Sequence, residues 1–420
     1  MKFEFRRIGA AAALAAASLM TATLGTTAWS QTRDEALFKA VSAQQAPLVE
    51  TLGRLVNIES GTGDAVGMAE LSTLLEGELR ALGAATERHK AVANVVGDNI
   101  VGRFTGTGGK KLLLIAHMDT VYVRGSLAKA PFKVEGDRAY GPGIADDKGG
   151  IAVILHTLKV LRDMNFRGYE SITVMFNTDE EKGSFGSRDL IQKLANASDY
   201  VMSFEPSGTP RELLIKGASG IAYVEAKVKG KASHAGVAPD AGVNALVEAA
   251  DLILRTRELD DKDSLTRFNW TVAKAGTASN IIPDEAVINA DVRYQDNQRF
   301  EDTMKRLETL AQQKRLPQAE VQINITRGRP AFNSGEGGAR LMDKARSIYK
   351  EVGGEFGLLE RAGGGSDAAY AALGGTPVIE GMGLPGANYH SNQAEYVMID
   401  SIPRRLYLSI RMVMELGRGQ

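Results

Sequence analysis

His117 and Asp119 stand two residues apart, directly after the apolar run Leu112-Leu113-Leu114-Ile115-Ala116. Other acidic and histidine residues of this chain share that kind of placement. Asp179-Glu180-Glu181 follows the apolar run 171–176, and Glu205 follows 200–204. Asp146 lies in the turn-rich run Gly141-Pro142-Gly143-Ile144-Ala145-Asp146-Asp147-Lys148-Gly149-Gly150, which leads into a helical pattern, and His390 lies in the loop Tyr389-His390-Ser391. The chain has no cysteine. Disulfides, thiolate metal sites and cysteine nucleophiles are therefore excluded, and any metal must be held by His, Asp and Glu.

Each residue has a plainer reading. A histidine after an apolar strand is commonly a satisfied buried ring, but a His-x-Asp pair favours metal, because metal-bound imidazoles lean on a carboxylate through their other nitrogen. Glu180 and Glu181 would ordinarily be solvated; at the end of a buried strand they need a compensating cation. Asp146 fits a helix N-cap as well as a ligand. Taken together, the residues meet one chemical demand: two zinc ions about 3.5–4 Å apart, a carboxylate shared between them, ligands for each, and a further carboxylate held off the metals as a base. Of the five histidines, His89 lies in a charged stretch and reads as surface, and His156 lies in an apolar helix and reads as packed core. Gly141 to Asp146 also resembles a dinucleotide fingerprint, but its sixth position is Asp and no strand is expected to lead directly into it.

These residues need a scaffold, and the periodicities supply one. Leu37, Val41, Leu48, Leu52, Leu55 and Val56 predict a helix over 33–58, and a second follows over 66–82. The runs 112–116, 171–176 and 200–204 read as buried strands, with helices over 148–164 and 187–195 between them. That alternation predicts an α/β sheet with the site at the carboxyl ends of its strands. Near residue 219 the pattern changes. Strands over 221–228, 268–275, 286–293 and 320–326, with helices over 244–255 and 300–313, give the order βαββαβ, which suits an α+β sandwich of one antiparallel sheet with two helices on one face. From about 331 the α/β pattern resumes, with helices over 339–352 and 367–373, a strand over 377–380 and a last helix near 403–416. The expected organisation is a signal peptide over 1–30, a catalytic domain over 31–218 and 331–420, and an inserted domain over 219–330.

A chain of 420 residues suggests two domains. Its 44% hydrophobic and 24% charged composition is that of a globular protein, and a net charge of −1 gives no reason to expect nucleic acid. Lys2, Arg6 and Arg7, the apolar run 8–23, and Ala28-Trp29-Ser30 before Gln31 read as an export signal. A membrane anchor is the alternative, but the second half of the uncharged stretch is diluted by Thr, Gly, Ser and Gln. A twin-arginine signal fits the residues around Arg6-Arg7 poorly. The mature protein is thus expected in the periplasm or outside, with no stable membrane association.

The segments Ala116-His117-Met118-Asp119, Gly143-Ile144-Ala145-Asp146-Asp147-Lys148-Gly149, Asp179-Glu180-Glu181, Ser233-His234-Ala235-Gly236 and Gly364-Gly365-Ser366-Asp367-Ala368 resemble the M20 family of zinc metallopeptidases across the whole mature chain. The runs 176–190, 327–333 and 402–407 resemble its glutamate carboxypeptidase branch. The resemblance implies a mixed-sheet catalytic domain with an inserted dimerisation domain, hence a homodimer, and two zinc ions per subunit. It implies that His117 and Glu205 bind one zinc, Glu181 and His390 the other, and Asp146 bridges them, with a cis bond to Asp147. Asp119 would orient His117, and Glu180 would be the general base. His234 would stabilise an oxyanion in the partner's active site, while Arg293 and Arg329, with Asn280, would hold a substrate carboxylate. The implied activity is hydrolysis of the amide to a C-terminal glutamate in folates and other N-acyl-glutamates. One position departs from the branch: an ungapped match puts Leu213 where a lysine is thought to read the glutamate side chain, leaving Arg211 or Lys216 to take that part. The alternatives are an M20 deacylase or dipeptidase of different specificity, and an inactive binding protein of the same fold.

Overall fold

The computed structural model describes residues 32–420 apart from Ser264, so the export signal read at 1–30 lies outside the described residues. The single helix expected over 33–58 is two, α1 (Glu35–Ser42) and α2 (Gln45–Val56). Asp34 caps α1 by accepting a hydrogen bond from the Leu37 amide at 2.9 Å. Pro47 explains the break: its ring would collide with the carbonyl of residue 43 in a continuous helix, but it is tolerated in the first turn of a new one. The next helix, α3 (Ala65–Ala81), is capped by Asp64, which accepts from the Val66 and Gly67 amides.

The main sheet has six strands, β1 (Ala85–Lys90), β2 (Asp98–Thr105), β3 (Lys111–His117), β4 (Ser171–Asn177), β5 (Tyr200–Ser203) and β6 (Val378–Glu380), in the spatial order β1-β2-β4-β3-β5-β6. The β4, β3, β5 and β6 neighbours are parallel, while β1 and β2 are antiparallel additions. β1 and β2 were not expected from the sequence: β1 is an edge strand of mostly exposed polar and charged residues, without the apolar run that marks a buried strand. Along β3, Leu112, Leu114 and Ala116 join one core with α4 (Lys148–Asp163) and the C-terminal helix Ile402–Arg418. Leu113 and Ile115 join another with Ile191 and Leu194 of α5 (Arg188–Asn196). Alternate residues of a strand point to opposite faces, so a strand covered on both sides must read as a continuous apolar run.

A second, antiparallel sheet is built from Gly220–Lys229, Arg267–Ala275, Glu285–Tyr294 and Glu320–Arg327. Its helices, Ala245–Arg255 and Asn297–Ala311, pack Leu252, Phe300, Met304 and Leu307 against Ala222, Val224, Ala226 and Val228. The order βαββαβ is the expected one, and the opposite face carries the exposed Tyr223.

A further correction concerns the loop of Asp146. A three-residue strand, Arg138–Tyr140, leads directly into Gly141. It pairs antiparallel with Tyr396–Met398 and Lys133–Glu135, outside the main sheet. Gly141–Asp146 is therefore not the turn of a parallel βαβ unit, which a dinucleotide site requires. Among the described residues, no helix is long and apolar enough to cross a membrane.

Candidate metal centre

The end of β3 delivers His117 into the interior, where it is 1% exposed. Its Nδ1 lies 2.9 Å from the Asp119 backbone oxygen and 3.4 Å from Asp119 Oδ1. The Asp119 carboxylate accepts hydrogen bonds from the Glu180 and Glu181 amides at 3.0 and 3.1 Å and from Thr62 Oγ1 at 2.7 Å. Asp119 thus ties the end of β3 to the loop after β4. On the other side of the ring, His117 Nε2 lies 2.9 Å from Asp146 Oδ1 and 3.7 Å from Glu205 Oε1.

His390 arrives from the far end of the chain in a left-handed backbone conformation, φ 56°. Its Nε2 lies 3.1 Å from Asp146 Oδ2 and 3.0 Å from Glu181 Oε2. The two oxygens of Asp146 therefore face one histidine each. The Asp146–Asp147 peptide is cis. The loop is held by Glu395, which is 3% exposed: Oε2 accepts from the Gly143 amide at 2.9 Å, and Oε1 from the Ala145 and Asp146 amides at 2.7 and 3.0 Å.

Two three-donor groups result, His117 with Asp147 and Glu205, and Asp146 with Glu181 and His390; within each, the donor atoms lie within 4.8 Å of one another. Asp147 is fully buried, and its Oδ1 has no hydrogen-bond partner. Imidazole nitrogens and carboxylate oxygens around an orphaned buried oxygen fit a pair of divalent cations.

The electrostatics point the same way. Burial opposes ionisation of Asp146, but hydrogen bonds from His117 and His390 outweigh it and hold the carboxyl well below its ordinary range. Burial pushes Glu180 well up, against the pull of Arg329 and His117. Glu205 is raised by burial and then by the Asp146 charge. Burial disfavours a charged His117, yet Asp119 and Asp146 raise it well above the usual imidazole value. Asp146 and Glu181 push His390 up to about 10. This excess of buried acid needs positive charge, which bound cations supply.

Glu180, 5% exposed, stands outside both donor groups. Arg329 Nη2 lies 2.9 Å from Glu180 Oε1, and the same guanidinium donates to the backbone oxygens of Glu180 and Gly365. Asp367 locks the neighbouring loop, accepting from Asn177 Nδ2 at 2.7 Å and from Ser184 Oγ.

Other sequence-predicted residues do not meet this cluster within one chain. Ser233–His234 pairs with Ile281–Ile282, and the Asn280 backbone oxygen accepts from the Ala235 amide at 2.9 Å. His234 Nδ1 accepts from the Gly236 and Val237 amides, both at 3.1 Å, which leaves Nε2 of this exposed ring to carry the proton. Arg293 forms a two-pronged pair with Asp291 at 2.9 and 3.0 Å. Lys216, a candidate to replace the missing lysine, is bound to both oxygens of Glu360 at 2.8 and 2.7 Å. His89 lies on the surface beside Glu87; His156 is 6% exposed, between Thr51 and Gln44. Sequence reasoning missed the parts of Glu395, Asp147 and Asp367. Asp367 carried a signal in its glycine-rich motif, whereas Glu395 sits in an unmarked loop.

The sequence profile of peptidase family M20/M25/M40 matches residues 113–415. This chain belongs to the M20 peptidase family. It is 62% identical over 405 residues to carboxypeptidase G2 of Pseudomonas sp. (strain RS-16), covering 96% of this chain and 98% of that protein. It is 30% identical over 337 residues to the succinyl-diaminopimelate desuccinylase of Gluconobacter oxydans (strain 621H), covering 76% and 84%. Among solved structures, the aminopeptidase PepT of Bacillus cereus ATCC 10987 superposes with a TM-score of 0.71 at 25% identity, covering 89% of this chain and 98% of that one. Members of this M20 group share the mixed α/β architecture, and this chain is a peptidase of that group.

Proposed function

We propose that the protein is a zinc carboxypeptidase that hydrolyses the amide bond to a C-terminal glutamate in folates and other N-acyl-glutamates. The observation that carries this reading is the 62% identity to carboxypeptidase G2 along nearly the whole length of both chains. The geometry supports residue roles. His117 and Glu205 would hold one ion, Glu181 and His390 the other, with Asp146 shared between them. Two bound zinc ions would supply Lewis-acid polarisation of the scissile carbonyl and activation of water at neutral pH. Glu180, beside both donor groups and part of neither, takes a proton from the attacking water and returns it to the leaving nitrogen. Asp119 keeps the His117 ring oriented through its backbone oxygen. Arg329, whose guanidinium here is engaged by Glu180 and the Gly365 carbonyl, would turn its planar fork to the substrate carboxylate on binding, with Arg293 and Asn280 as further contacts.

Residues 219–330 would form a dimerisation domain. The exposed Nε2–H of His234 supports a role in the partner's site, where it would donate to the oxyanion. Export to the periplasm or outside follows from the signal read at 1–30.

The test is hydrolysis of a folate analogue by zinc-loaded wild type and Glu180→Ala. The variant should keep two metals per chain and lose about 10²–10⁴-fold in turnover; substantial residual turnover would mean that the base is another group. A second reading, an M20 hydrolase for another N-acyl amino acid, is favoured by Leu213 in the strand Leu213–Ile215 and by the engagement of Lys216 with Glu360. A panel varying the C-terminal residue separates the two: cleavage of neutral conjugates only would sink the glutamate reading.

A further inference from the structure

Where the inserted segment rejoins the main fold lies a cleft of about 750 Å³. Phe185, Arg188, Gln192 and Tyr370 line it from the main fold, and Tyr294 and Phe300 from the inserted segment. No member of the two donor groups belongs to its lining. Its walls nevertheless run into the surroundings of Glu180. Gly328 and Pro330 line the cleft, and Arg329 between them reaches the Glu180 carboxylate. Tyr370 donates to the Gly183 carbonyl at 2.8 Å, and the Gly183 amide donates to the Glu180 carbonyl at 2.8 Å. The loop of Glu180 then continues into Phe185 and the first turn of α5. The cleft is therefore separate from the metal centre but shares walls with the Arg329–Glu180 pair.

We propose that this cleft is a second ligand site, that it takes a planar aromatic carboxylate, and that its occupancy holds Arg329 on Glu180 and away from substrate. The last part rests on the reading that Arg329 turns to the substrate carboxylate. The volume, the aromatic lining and the few polar groups are those of small-molecule sites. Tyr294 and Phe300 are stacked, with ring centroids 4.1 Å apart and planes 14° from parallel, and both are buried behind the surface they line. Such fixed rings take another aromatic ring in an offset or edge-on arrangement. Charge sets the preferred substituent. Arg327, also in the lining, is bound to both oxygens of Glu301 at 2.9 and 2.8 Å. Arg188 has no such two-pronged partner: its Nε lies 4.0 Å from the solvent-exposed Asp189, and its guanidinium stands 5.0 Å from the Phe185 ring centroid and beside the Tyr370 hydroxyl. A planar fork flanked by aromatic rings suits an aryl carboxylate. A ligand stabilises the arrangement that it binds. One ring held between Arg188 and the 328–330 stretch would fix Arg329 where it stands, with its guanidinium on Glu180. Substrate must draw Arg329 off that carboxylate, so the two ligands weaken each other equally.

The test is calorimetric titration of 2-naphthoate and 2-naphthamide into zinc-loaded wild type, Arg188→Gln and Gln192→Trp. Wild type should bind the carboxylate with a Kd on the order of 1 mM and about tenfold more tightly than the amide. Arg188→Gln should lose that preference, a ratio that general repacking leaves alone. Gln192→Trp, whose indole fills the cleft, should weaken both ligands at least about tenfold. A carboxylate bound at the metals would ignore both substitutions, so equal affinities in the three proteins overturn the site. Absence of binding to wild type at about 10 mM does the same. The second arm is kinetic. Saturating 2-naphthoate should raise KM about fivefold in wild type and leave it nearly unchanged in Gln192→Trp. An equal rise in both proteins, or none in wild type, overturns the link to Arg329. If glutamate conjugates are not cut, the earlier functional reading fails, while the calorimetry still decides the site and KM is read on whichever amide is cleaved.

Discussion

Asp146 faces His117 and His390 with separate oxygens, Oδ1 2.9 Å from His117 Nε2 and Oδ2 3.1 Å from His390 Nε2. A carboxylate so placed can serve two ions at once, and no neighbouring acid duplicates it. Replacing Asp146 with Ala should reduce bound metal from two ions per chain to one or none and lower kcat/KM by at least about 10²-fold. Elemental analysis of the purified variant checks this; two ions retained would show that Asp146 is not shared.

Glu395 touches no candidate cation but aims the loop that carries Asp146. In Glu395→Gln one acceptor oxygen becomes an NH2 group facing backbone amides that also donate. Buried donors left against donors are costly, and supports behind metal ligands change affinity by about 10–100-fold. Chelator competition should therefore show zinc bound about 10–100-fold more weakly, at unchanged stoichiometry under saturating zinc. Equal affinity would reduce Glu395 to a packing residue.

Arg329 reaches Glu180 and the Gly365 carbonyl through one planar guanidinium. Lysine cannot reproduce that fork. Removing one partner of a buried charge pair costs about 2–5 kcal/mol, so Arg329→Ala should lower kcat/KM roughly thirty- to several-thousand-fold. Steady-state kinetics with metal content held at wild-type level provide the check. A loss below about threefold would remove Arg329 from the binding site.

His156 gives the fold a pH dependence that can be read apart from catalysis. Burial, with Lys159 and Arg54 nearby and only Glu78 opposing, lowers its pKa to about 4. The folded chain thus keeps the imidazole neutral, and its contribution is fully present above the unfolded value near 6.5. Between about 6.5 and 4 the unfolded chain binds a proton that the folded chain refuses, so stability falls with pH, by about 2 kcal/mol between roughly pH 7.5 and 5. Below about 4 this site contributes no further loss. Urea unfolding of wild type and His156→Gln measures it: the variant should lack this part of the slope, and identical slopes would assign the pH dependence elsewhere.

Much of the scaffold was legible before the structure. Strands covered on both faces announce themselves as apolar runs, which is why β3, β4 and β5 were found to within a residue or so. The βαββαβ segment showed itself through alternation at period two. The edge strand β1 did not, because an exposed edge has no apolar pattern to display. The break between α1 and α2 was hidden because hydrophobic spacing runs on through it, and only the proline interrupts the backbone.

For the site, the sequence by itself determined the chemistry available: no thiolates, few histidines, and acids clustered where strands end. It did not determine which side chains meet. His117 and His390 lie far apart in the chain, on either side of the inserted segment, and they converge on Asp146 because the register of β3 against β4 fixes one ring and the loop leading from Tyr389 fixes the other. Nor could spacing reveal that Glu395 would hold the Asp146 loop, or that Arg329 would reach the carboxylate of Glu180. Local periodicity reports which face of an element is buried. Contacts between distant segments depend on sheet order, loop path and the need to satisfy buried polar groups, and these are settled only when the whole chain is packed.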